Sequence, residues 1–227
     1  DAGRPVDNMT GLVGPGWGCL GTPMYFFTSY GVVAPSTFLT VGGTPTNPEY
    51  RVDAHCGGGP LAFSFTWQVM RLSRNRNWGN PNLIRFLERL SEKGAKVGWP
   101  GLLVGDISQP RGGPMLTGHA SHQVGLDADI WLTPMPDREL SREEREEMSA
   151  TNVVAENKKD VDPKLWKPNH LAIIKAAASQ PEVERIFVNA AIKKALCREA
   201  GKDRAFLHKV RPWWGHDYHF HVRIVCQ

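Results

Sequence analysis

Several signatures are missing from these 227 residues, and each absence narrows what the chain can be. No run of about 18 apolar residues occurs, so no segment can cross a bilayer as a helix. Cysteine is sparse, with Cys19, Cys56, Cys197 and Cys226 widely spaced and no CxxC pair, which argues against a four-thiolate zinc site. Disulfides are the expected use of these thiols, Cys19 with Cys56 and Cys197 with Cys226, because each pair keeps to one end of the chain; buried free thiols are the alternative. No repeat is present, and no nucleic-acid motif accompanies Arg71, Arg74 and Arg76 near Trp78, so nucleic acid is not the expected partner. An HExxH pair is absent as well. A strong charge imbalance is lacking, since Lys and Arg number 27 against 23 Asp and Glu; the net charge of +4 eases approach to an anionic polymer without identifying one. The chain opens at Asp1 with no basic segment leading into an apolar one, as expected if an export signal has been removed or the chain has been trimmed.

What is present favours an α+β domain. Apolar residues make up 41% of the chain, enough for a buried core, while 23 Gly and 17 Pro call for many turns rather than long helices. Residues 1–60, rich in Gly, Pro, Thr and Ser, read as a loop-rich arm with short strands, and Gly57 to Pro60 as a hinge to the domain at 61–227. Leu83, Ile84, Phe86, Leu87 and Leu90 recur at helical spacing from Asn82, with Gly94 placed as a stop. Residues 97–107 read as a strand broken by Gly and Pro, followed by a loop over 109–114. Ser141 and Glu144 form a capping pair for a solvated helix, 165–178 suits a packed helix, 183–188 is a strand, and 190–196 adds to the core.

Chemistry concentrates in the histidines, five of whose eight members fall in residues 118–129 or 215–221. Residues 218–225 are rich in β-formers, and the period of two puts His219 and His221 on one face with Phe220, Val222 and Ile224 on the other. Gly125 opposes a continuous helix through the first cluster, whereas Leu126, Ala128 and Ile130 alternate with Asp127 and Asp129 as in a half-buried strand. Imidazole and carboxylate are the ligands catalytic zinc takes, with one position left for water. So many imidazoles on facing elements would repel as cations without a metal. Spacing leaves Asp127 and Asp129 both open as the carboxylate. His55, His170 and His208 stand apart and read as ordinary core or surface residues.

The order His122, Gly125, Asp129 with a late His219-Phe220-His221 resembles the metallopeptidase superfamily of lysostaphin, the D-alanyl-D-alanine peptidases and the hedgehog signalling domain. The strings GHASHQVGLDADIW, LWKP, RIFVN, AIKKALC and KVRPWWGHDYHFHVR resemble the penicillin-insensitive murein endopeptidases from about Trp67 to the C-terminus, whereas residues 1–60 match poorly. This resemblance implies a central antiparallel sheet carrying the site, flanked by helices. It also implies Zn2+ held by His122, Asp129 and His221, with His119, His216 and His219 beside the metal. The implied substrate is the D-alanyl to meso-diaminopimelyl cross-link of peptidoglycan, in a periplasmic or secreted setting. A D,D- or L,D-carboxypeptidase and a non-catalytic zinc-containing binding module are the alternatives. On this reading His219 takes the proton of the attacking water, and His216 or His119 stabilises the oxyanion or protonates the leaving amine. Asp127 or Asp217 orients an imidazole. Trp213 and Trp214 line the cleft or pack in the core, and Arg211 and Arg223 meet substrate carboxylates or lie on the surface.

Overall fold

The structure, a computed structural model, describes residues 67–110, 112–116 and 118–226, and before these only the backbone of four strands. Those strands are β1 (Tyr25–Thr28), β2 (Gly31–Val32), β3 (Leu39–Thr44) and β4 (Asn47–Arg51). β1 pairs with β2 and with β6 (Trp78–Gly79), and β3 with β4. The glycine hinge at 57–60, His55, Cys19 and Cys56 lie outside the described residues.

A six-stranded sheet dominates the rest. It contains β5 (Trp67–Val69), β7 (Leu102–Val104), β8 (Asp127–Trp131), β9 (Val183–Val188), β10 (Val210–Pro212) and β11 (His219–Ile224), in the order β10-β9-β11-β8-β7-β5. The middle four strands are antiparallel, as expected, but each edge adds a parallel pair, β10 with β9 and β5 with β7, so the sheet is mixed.

Four helices accompany the sheet among the described residues. They are α1 (Pro81–Lys96), α2 (Arg142–Glu147), α3 (Pro168–Ala178) and α4 (Ala190–Glu199). Their starts follow from local chemistry: the Asn80 side chain accepts from the Asn82 N–H, that of Asn189 from the Ala191 N–H, and Ser141 and Glu144 close the expected capping box. α3 begins at Pro168 rather than at 165, because proline suits the first helical position and needs no N–H there. Gly94 does not stop α1. It is buried inside the helix, where a Cβ would lie 3.1 Å from Ile173 Cδ1 on α3, so it serves close packing between the helices. Within 97–107 only β7 is regular strand, since Gly98 at φ 78 and Pro100 turn the chain before it.

Leu83, Phe86 and Leu87 of α1, with Ile173 and Ile174 of α3, pack into one core with Ala128, Ile130, Phe220 and Val222, all fully buried. The β8–β11 register pairs Phe220 with Ile130 and Val222 with Ala128, while His221 pairs with Asp129 and Arg223 with Asp127. Alternation therefore gives these strands an apolar face under the helices and an opposite face of imidazoles and carboxylates. Cys197, on α4, is a free thiol packed against this core, so the expected bond between Cys197 and Cys226 is not formed. No helix of the described residues is long and apolar enough to cross a membrane.

Candidate metal centre

Three elements deliver the site. β8 contributes Asp127 and Asp129, β11 contributes His219 and His221, and the turn before β8 contributes His119 and His122. That turn needs two successive left-handed residues, Gly118 (φ 60) and His119 (φ 55). The approach to β11 repeats the device with Gly215 (φ 69) and His216 (φ 53). A non-glycine residue in this region is strained, and at both corners the strained residue is a histidine of the site.

The hydrogen bonds fix which ring nitrogen faces inward. His122 Nδ1 lies 2.6 Å from the Ile107 carbonyl, to which it donates, leaving the Nε2 lone pair pointing the other way. His221 Nε2 lies 2.8 Å from Asp127 Oδ1, which leaves its Nδ1 as the inward atom. His122 Nε2 and His221 Nδ1 are 3.0 Å apart, and Asp129 Oδ1 lies 3.3 Å from the first and 3.1 Å from the second. Three acceptor atoms thus form a near-equilateral triangle. Asp129 Oδ1 is fully buried, and none of its contacts has hydrogen-bond geometry. Such an arrangement requires a cation or a proton at its centre.

The electrostatics agree. Burial opposes charge on His221, yet its hydrogen bond to Asp127 and the Asp129 carboxylate 3.1 Å away carry it up to about 9. Burial also pushes the Asp129 carboxyl up, but His219 and His122 outweigh it and hold the group well below the ordinary carboxylate range. His219, whose Nε2 stands 3.5 Å from Asp129 Oδ1, is driven down to about 4 by burial, and its buried Nδ1 has no hydrogen-bond partner. His119 bridges two carboxylates, Nε2 at 3.1 Å from Asp106 Oδ2 and Nδ1 at 3.4 Å from Asp129 Oδ2, and the Asp106 bond raises its pKa. His216 donates from Nδ1 to the Trp214 carbonyl at 2.7 Å, and its ring lies tilted with its centroid 4.8 Å from that of His219; burial lowers its pKa.

His119, His122 and Asp129 offer ligand atoms within 4.8 Å of one another and could hold a metal ion. His221 adds a nearer nitrogen to the same carboxylate. Asp127 is the acid that meets an imidazole, and Asp217 instead accepts from Asn152 at 3.1 Å. Arg223 pairs with Asp127 at 2.6 Å and with Glu184 at 3.4 Å, and Arg211 is exposed. Trp213 and Trp214 are not core residues, being 58% and 91% exposed. His170 is buried against Trp166 and bonds the Leu132 carbonyl, and His208 is exposed; neither reaches the site.

A cleft of about 280 Å³ opens over Asp129 and His219, lined also by Arg71, Arg74, Asp106 and Tyr218. Asp106 was not singled out in the sequence. An acid closing the buried stretch Leu102–Val104 through Gly105 was its only signal, and two guanidinium groups, Arg74 and Arg76, and the His119 imidazole converge on it. Gly105 itself allows close approach, since a Cβ there would sit 3.0 Å from Trp131 Nε1 and 3.4 Å from the Asp129 backbone.

These features define an α+β domain with a histidine–carboxylate group able to take a divalent ion. The profile of the penicillin-insensitive murein endopeptidases matches residues 55–227. The chain is 51% identical over 162 residues to the enzyme of that name from Haemophilus influenzae, covering 70% of this chain and 56% of that protein. It is 48% identical over 171 residues to that of Yersinia enterocolitica (75% and 62%), and 43% identical over 188 residues to that of Pectobacterium atrosepticum (82% and 66%). The chain belongs to the penicillin-insensitive murein endopeptidase family. It spans somewhat under two thirds of the length of these curated relatives.

Proposed function

We propose that this chain is a zinc-dependent murein endopeptidase, periplasmic or secreted, that hydrolyses the D-alanyl to meso-diaminopimelyl cross-link of peptidoglycan. The observation that carries the reading is the triangle of acceptors formed by His122 Nε2, His221 Nδ1 and Asp129 Oδ1, with edges of 3.0 to 3.3 Å. Tetrahedral zinc with nitrogen and oxygen ligands at about 2.0–2.1 Å spaces those ligands about 3.3 Å apart, and the donor set is the one catalytic zinc prefers. When bound, zinc supplies Lewis acidity toward the scissile carbonyl and brings the pKa of a water toward about 7.

The protein's own groups do the rest. His219 shares the strand face with His221, and its Nε2, 3.5 Å from Asp129 Oδ1, is the atom to accept the attacking water's proton. His119, held between Asp106 and Asp129, or His216, held by the Trp214 carbonyl, is the group to stabilise the oxyanion or protonate the leaving amine. Asp127 fixes the ring of His221.

The test is metal content and cleavage of cross-linked muropeptide dimers for wild type, His122→Ala and His221→Ala in parallel. Wild type should hold zinc and convert dimers to monomers without releasing alanine, and both variants should lose zinc and about 10³-fold or more in rate. Full zinc and full activity in both variants would defeat the assignment. Release of alanine from monomeric stem peptides would favour a carboxypeptidase, and zinc loss that unfolds a protein with no cleavage activity would favour a structural metal.

A further inference from the structure

Arg71 lines the cleft over Asp129 and His219, and its placement is over-determined. Its backbone is left-handed, at φ 58, a conformation that strains a non-glycine residue, and its N–H bonds the Arg145 carbonyl at 3.1 Å. Nη2 donates to the Met148 carbonyl at 2.9 Å, and the guanidinium carbon stands 5.7 Å from the centroid of the Trp131 ring, which also lines the cleft. A guanidinium carries five N–H donors, and a carbonyl satisfies only one without offsetting the charge. The neighbouring arginines differ on this point: Arg74 and Arg76 both pair with Asp106, at 3.2 and 3.0 Å, whereas among the described residues no carboxylate pairs with Arg71. Arg71 is therefore a half-buried, held cation with N–H donors left beyond the one given to Met148 and, among the described residues, no carboxylate partner, in the cleft that holds the metal-centre carboxylate.

We propose that Arg71 is a specificity residue that binds a substrate carboxylate, with Arg74 beside it at the exposed side of the same cleft. The proposal rests on the endopeptidase reading above and names which carboxylate. In a D-alanyl to meso-diaminopimelyl bond, the carbon attached to the scissile nitrogen also carries a free carboxylate. A substrate with its amide over Asp129 and His219 must place that carboxylate in the immediate surroundings, where Arg71 is, among the described residues lining the cleft, the cation without an acidic partner. Donors on the leaving-amine side would then select cross-links whose acceptor residue is an α-amino acid with an unmodified carboxylate.

The experiment compares two cross-linked muropeptide dimers, identical except that the carboxylate next to the scissile nitrogen is free in one and a carboxamide in the other; a third dimer, amidated at a remote carboxylate, is the control. Wild-type zinc-loaded protein should lose at least about tenfold in kcat/KM on the carboxamide dimer and little on the control. Arg71→Gln should lose a similar factor on the free carboxylate and no longer distinguish the dimers, and Arg71→Lys should recover part of the preference. Equal cleavage of both dimers by wild type would overturn the carboxylate subsite while leaving the endopeptidase intact. Persistence of the preference in a folded Arg71→Gln protein would overturn the role of Arg71. Cleavage of none of the dimers would remove the endopeptidase reading and this inference with it. The amidated substrate tests the subsite without any variant, and should Arg71→Gln fail to fold, Arg71→Lys decides the residue's part: an undiminished preference there would overturn it.

Discussion

The two faces of β8 and β11 are built from the same residues in alternation and have opposite energetics. On one, Ala128, Ile130, Phe220 and Val222 are fully buried beneath α1 and α3, where every contact removes apolar surface from water. On the other, within one residue of each, stand Asp127, Asp129, His219 and His221, also buried but facing one another beside the cleft with too many lone pairs. The first face stabilises the fold; the second is tolerable only because the first holds it in place.

The contrast can be broken from either side. The largest effect should come from Phe220→Ala, which empties a fully buried site and costs about 3–5 kcal/mol of folding free energy by denaturant titration, with little change in rate per folded molecule. A drop in zinc affinity with stability unchanged would mean that the faces are not separable in this way. Asp127→Asn acts on the other face: His221 loses the charge that orients it, and zinc affinity should fall about 10- to 100-fold by competitive chelation while the apolar packing persists. Unaltered affinity would remove Asp127 from the metal centre.

The smallest effect is a matter of pH in the metal-free protein. His221 is raised to about 9 in the fold, so its contribution is fully present below about pH 6.5 and is lost as pH climbs through 9. His219 is depressed to about 4, so its neutral form costs nothing above about pH 6.5, and stability declines as pH falls from there toward 4. Chelated protein should therefore have its highest melting temperature near pH 6.5, and zinc should flatten the alkaline arm by replacing the proton that His221 carries. Parallel alkaline slopes with and without zinc would show that the ion does not occupy that place.

Much of this face was legible because strands write their geometry with a period of two. The parity of His219 with His221 and of Asp127 with Asp129 could be counted, and the register of β8 on β11 brings both pairs to one side. Asp106 and Arg71 were not legible, because their roles depend on where β7 and the segment after β5 end beside the turn at Gly118, a long-range relation without local pattern. Gly94 misled for a related reason. As sequence it signals a helix end, but the approach of Ile173 from α3 makes the missing Cβ a packing requirement. Cys197 misled through proximity along the chain to Cys226, when its helix simply turns it toward apolar neighbours.

From Asp129 through His221, Asp127 and Arg223 to Glu184, acidic and basic groups alternate in an unbroken file that runs from the buried centre to a half-exposed glutamate. Neutralising any interior member leaves its neighbours facing a partner of no charge in a poorly hydrated place, so isolated replacements along the file are disfavoured. Tolerated variation should arrive as compensated pairs, with Arg223 and Glu184, nearest to water, the first to change together.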